Sequence, residues 1–122
     1  MKVRISMKPN EFKNFIELVR TMLRLEVQFP KGQKVLSVLN QEALQNLSLK
    51  CLQKRLEPLK KKTIVTLNDA EIVAFVTADD NALSHSDYWV TYREIIAYID
   101  QETNRLYLHN EMLRNEMSKI KG

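Results

Sequence analysis

IIAYIDQETNRLYL, residues 95–108, admits two readings, and the fold follows from the choice between them. As a strand pair, Tyr98-Ile99 and Leu106-Tyr107-Leu108 are strand ends around a polar turn from Asp100 to Asn104. Asn104 suits the left-handed backbone that such turns need, and the β-branched and aromatic residues from Tyr88 to Ile99 favour strand. As a helix, the segment matches an earlier one: IIAYIDQE, Ile95 to Glu102, lies sixty positions after VLSVLNQE, Val35 to Glu42, whose continuation reads as helix.

A gap-free overlay of 61–120 on 1–60 sets like beside like. Ile5-Ser6-Met7 meets Val65-Thr66-Leu67, Glu11 meets Glu71, Phe15-Ile16 meets Phe75-Val76, and Phe29 meets Trp89. Six positions of the overlay are identical, namely 2, 11, 15, 23, 41 and 42 with their counterparts. Chance alone gives roughly four at ordinary residue frequencies, so identity decides nothing about ancestry. The coincidence of class, strand on strand and helix start on helix start, carries more.

KVRISM, residues 2–7, alternates Lys2, Arg4 and Ser6 with Val3, Ile5 and Met7, the period of a half-buried strand. Pro9 then opens a helix expected to run to Leu25, with Phe12, Phe15, Ile16, Val19, Met22 and Leu23 as its apolar stripe. Pro30 and Gly32 punctuate the chain. A second helix is expected from Lys34 to Glu57, with Leu36, Leu39, Ala43, Leu47 and Cys51 inward and Val35, Leu44, Leu52 and Leu56 widening that face; Pro58 ends it. KKKTIVTL reads as the second strand. Asn68 and Glu71 form a capping-box variant that starts a helix with Ile72, Phe75 and Val76 inward, and Asp79-Asp80 end it. NALSHSD reads as a linker. Tyr92, Ile99, Leu106, Leu113 and Ile120 recur every seven residues, a seam for a long final helix.

The expected fold is therefore α+β and mainly helical: two strand–helix–helix units packed as one domain over 1–122, with internal repeats 1–60 and 61–122. The alternative places a β-hairpin near 95–108 in the second unit.

Bulk properties narrow the function classes. With 122 residues, 44% apolar and 28% charged, the chain is long enough to bury a core without metal or disulfide. One cysteine, Cys51, permits no internal bridge and suggests a reducing compartment. No signal peptide or membrane span is expected, since the longest apolar run is Ile72 to Val76. Two glycines and three prolines are too few for a turn-rich β sandwich or a phosphate-cradling loop. The charge is lopsided. Residues 1–60 carry 12 Lys+Arg against 5 Asp+Glu, a balance of +7; residues 61–122 carry 7 against 10, a balance of −3. The basic half suits nucleic acid or an acidic partner, or serves as a solvated surface.

A strand with a basic outer face followed by two amphipathic helices resembles the ribbon–helix–helix fold of DNA-binding repressors. The match covers residues 2–57 better than 62–120. The resemblance implies two strands paired antiparallel into a ribbon that enters the major groove, its outward side chains reading bases. The outward residues would be Lys2, Arg4 and Ser6, then Lys62, Ile64 and Thr66. The start of the second helix, Gly32-Gln33-Lys34, would approach phosphate; Glu94 at the corresponding place in the second unit would repel it.

A further basic cluster, Lys50, Lys54, Arg55, Lys60, Lys61 and Lys62, is a candidate phosphate contact, with a solvated helix end as the plainer account. Tyr88, Trp89 and Tyr92 could stack bases but more commonly such residues fill a core or interface. His85 and His109 lack ligand spacing, and Ser84, His85 and Asp87 come without a nucleophile motif, so neither metal, cofactor, catalysis nor a small-molecule substrate is expected. The functional expectation is a non-enzymatic cytoplasmic DNA-binding protein. The alternative is an assembly subunit, for example of a phage or mobile-element particle, in which basic and acidic halves meet between copies or with another protein.

Overall fold

The computed structural model describes residues 2–29, 34–57 and 61–104. Its elements are β1 (Val3–Met7), α1 (Pro9–Gln28), α2 (Lys34–Arg55), β2 (Thr63–Leu67), α3 (Asp69–Val76), α4 (Asp80–Leu83) and α5, residues 89–104. The fold is mainly helical with one two-stranded antiparallel sheet.

The strand alternation sorts side chains to two faces. Val3, Ile5, Met7, Val65 and Leu67 are buried, and Lys2, Arg4, Ser6 and Ile64 are exposed. The ladder sets Val3 against Leu67, Arg4 against Thr66, Ile5 against Val65, Ser6 against Ile64 and Met7 against Thr63. Each strand thus hides its apolar face on one core, which also takes Phe12, Phe15, Leu18 and Val19 of α1, Leu44 and Leu47 of α2, Phe75 of α3, and Tyr92, Ile95 and Ile99 of α5. Burying one such large side chain stabilises by about 1.5–3 kcal/mol.

The register gives the sixty-residue overlay a geometric meaning. Ile5 and Val65 coincide in the overlay and face each other in the ladder, so a half-turn about the point between them carries β1 onto β2. Phe15 and Phe75 also coincide, and their rings stack with centroids 5.9 Å apart and planes 3° from parallel. Both first helices start alike: Lys8 N–H donates to Glu11 Oε1 and Asn68 N–H to Glu71 Oε1, each at 2.9 Å. The two halves then diverge, for α1 has 20 residues and α3 only eight.

Four expectations are corrected. Residues 95–104 are helical, so the hairpin reading fails over its described part, while 105–108 lie outside the described residues. Burial of Tyr92, Ile95 and Ile99 at three- and four-residue spacing outweighs the β propensity of that stretch. On α2 the inward face is Ser37, Asn40, Ala43, Leu44, Leu47 and Cys51, whereas Val35, Leu39 and Leu52, and Leu56 just past the helix end, face solvent. This helix has apolar residues on two sides, and its packing partners select one; Asn40 Nδ2 is satisfied by donating to Thr77 Oγ1 at 2.9 Å. Val76 is exposed, and Glu71 and Ala74 take the inner face of α3 instead. The NALSHSD stretch is not all linker, since Asp79 caps α4 by accepting from Ala82 N–H at 3.2 Å. Of the seven-residue seam, Tyr92 and Ile99 are buried, and Leu106, Leu113 and Ile120 fall outside the described residues.

Candidate nucleic-acid interface

The outer face of the ribbon follows from strand parity. Lys2, Arg4 and Ser6 project from one strand and Lys62, Ile64 and Thr66 from the other, with Thr66 half-buried and Ile64 44% exposed. The ladder places Arg4 beside Thr66 and Ser6 beside Ile64. Continuing that register sets Lys62 beside Lys8, an exposed residue that the sequence reading omitted although the same alternation reaches it.

Both edges of the ribbon are held by side chains from helices. Tyr98 Oη donates to the Arg4 carbonyl at 2.9 Å, and Lys50 Nζ donates to the Thr66 carbonyl at 3.1 Å. Arg4 and Thr66 are opposite one another, so this is a pair whose carbonyls both point away from the partner strand. Each grip crosses between halves: α2 follows β1 in sequence yet holds β2, and α5 follows β2 yet holds β1.

Lys50 is consequently committed within the fold. Its ammonium also pairs at 2.7 Å with Glu71 Oε1, a carboxylate that is 0% exposed. Glu71 receives Asn68 N–H on the same oxygen, while Oε2 has no partner among the described residues. One carboxyl thus caps α3 and anchors α2, which explains why so polar a residue lies inside. Cys51, next in sequence, is buried, and burial pushes its thiol up to about 11.

The remaining basic residues separate into groups. Lys54, half-buried, and Arg55, exposed, end α2, and Lys61 and Lys62, both exposed, lead into β2. Lys34 stands at the other end of α2, about 30 Å from Lys54 at the helical rise. Lys60, with Gly32 and Gln33, lies outside the described residues. Strand parity puts Lys2, Arg4, Ser6 and Lys62 on one exposed face of the ribbon, which Lys8 extends.

The aromatic group is structural in part. Tyr92 is buried, its hydroxyl donates to the Phe75 carbonyl at 2.9 Å, and its pKa is raised by burial and then by Asp80. Trp89 stacks on Tyr92 at 5.7 Å and carries Arg93 over its ring at 5.6 Å. Among the described residues no three His, Cys, Asp or Glu side chains converge as metal ligands, and no helix is long and apolar enough to cross a membrane. Comparison of the chain with protein-family models, with curated proteins and with solved structures finds no match.

Proposed function

We propose that this chain is a non-enzymatic DNA-binding protein that inserts its β1–β2 ribbon into the major groove. One observation carries the reading: the ribbon buries its apolar face on the core and leaves Lys2, Arg4 and Ser6 together on an exposed face. A two-stranded ribbon fits the width of the major groove, and Arg and Lys are the residues that donate to guanine there. Lys54, Arg55, Lys61 and Lys62 would lie against phosphate, supplying affinity without sequence preference. The test is fluorescence anisotropy with duplex DNA across a salt series. Binding should weaken steeply with salt, the slope of log K against log salt being about −0.9 per phosphate neutralised. No binding at low salt removes the proposal.

A second reading, an assembly subunit, has its own support. The outer side of α2 exposes Val35 (70%), Val38, Leu39, Leu49 and Leu52, and Leu56 (88%) follows just past its end. Apolar groups repeated along one helix suit a protein contact. Light scattering that gives a monomer at every concentration counts against self-assembly through this face.

A further inference from the structure

The side of α2 turned away from the core carries a regular pattern. Val35, Val38, Glu42, Gln45, Leu49 and Leu52 follow one another in alternating steps of three and four residues, and all are exposed. That is the spacing of a coiled-coil seam, which meets a second helix lying nearly alongside. The seam is apolar at both ends and polar in the middle.

Its chemistry reads the same in both directions. Two identical copies related by a twofold axis need a self-complementary interface, in which residue i meets j and j meets i. Running two α2 helices in opposite directions, level at residues 43–44, sets Val35 against the partner's Leu52 and Val38 against the partner's Leu49. Glu42 then meets the partner's Gln45, whose amide can donate to the carboxylate. Sliding one helix by a heptad sets Glu42 against the partner's Leu52 and Gln45 against the partner's Leu49, burying polar groups on leucine without partners. Parallel pairing sets Glu42 on Glu42, like charge on like. One register satisfies every position of the seam.

We propose that two copies of this chain associate through antiparallel pairing of their α2 helices in that register. The proposal rests on the assembly reading, to which it gives a partner and an orientation, and it does not depend on DNA binding. The size of the seam sets the strength. A helix of 22 residues is about 33 Å long, and a strip one helix wide falls short of the roughly 800 Å² per partner of a standard interface. The dimer is therefore reversible, with a dissociation constant on the order of 10–100 μM.

Sedimentation velocity of the full chain from about 1 to about 500 μM tests it, the upper limit chosen to exceed that constant. A monomer–dimer equilibrium is expected. Val38→Glu/Leu49→Glu alters only exposed positions, so it should keep the native circular dichroism spectrum while weakening the dimer at least about tenfold. Gln45 reports the direction of the helices. Gln45→Lys sets a cation against the partner's Glu42 on both sides of the axis and should tighten the dimer about threefold, whereas Gln45→Glu sets carboxylate on carboxylate and should weaken it by at least as much. In a parallel pair position 45 meets itself, and both variants weaken the dimer. A monomer throughout the range overturns the proposal together with self-assembly. A dimer indifferent to Val38→Glu/Leu49→Glu, or one weakened by Gln45→Lys, overturns this pairing while the assembly reading stands.

Discussion

Phe15 stacks on Phe75, sixty residues away, with the two rings 3° from parallel and both fully buried. The contact joins the first helix of each half directly beneath the ribbon, so its loss should loosen both. Phe15→Leu and Phe75→Leu should each destabilise by about 1–3 kcal/mol through lost volume. Their double-mutant cycle in urea should show a coupling of about 0.5–1.5 kcal/mol.

Lys50 and Glu71 should prove unequal on mutation. Lys50→Met leaves a buried carboxylate without its cation and should cost about 2 kcal/mol, less than for a fully enclosed pair because the lysine is partly exposed. Adding Glu71→Gln to Lys50→Met should recover part of that loss, since a neutral amide can still accept from Asn68 N–H. Thermal denaturation of both variants measures the difference.

Glu26 is 8% exposed and its Oε1 has no partner among the described residues, beside Met22, Leu44 and Leu83. Glu26→Met removes that burial cost at similar volume and should raise the melting temperature by several degrees, consistent with about 1 kcal/mol.

Cys51 gives a pH dependence whose sign is fixed. Its thiol is held at about 11 against an ordinary 9.0. The unfolded chain loses this proton first, so the contribution is intact below pH 9 and is lost as pH rises toward about 11, by on the order of 2 kcal/mol. Comparing denaturant curves of the native chain and Cys51→Ala across that interval isolates the effect. The native thiol should also resist a disulfide reagent until the protein unfolds.

On the proposed DNA-binding reading, Arg4 and Lys54 would make two different kinds of contact. Arg4→Ala should cost about 1–3 kcal/mol on a preferred sequence and flatten discrimination, whereas Lys54→Ala should weaken all sequences alike and lower the salt slope by about one. Anisotropy on several duplexes distinguishes them.

Much of the fold is legible in the sequence. The alternation of Lys2 to Met7, the Asn68–Glu71 capping box and the stripe of α1 are local signals, and they appear where expected. α1 extends to Gln28 rather than Leu25 because no breaker intervenes, Phe29 N–H still donating to the Leu25 carbonyl. What stayed hidden depends on tertiary partners. Leu44 and Leu39 are alike to a hydropathy pattern, yet only Leu44 meets the core. The role of Lys50 was equally hidden, because its acceptors lie 16 and 21 residues away on other elements. The exposed residues of the candidate interface follow from strand parity alone, and so they could be named from sequence.

The crossed grips on the ribbon have a consequence for how the molecule meets anything. A ribbon assembled from two identical chains presents the same chemistry twice and comes apart on dilution. Here both strands belong to one polypeptide, so their stoichiometry is fixed at any concentration. They are also free to differ: one offers Lys2, Arg4 and Ser6, the other Ile64 and Thr66. A surface complementary to this ribbon would itself be non-palindromic, with a direction along which the protein docks in only one orientation.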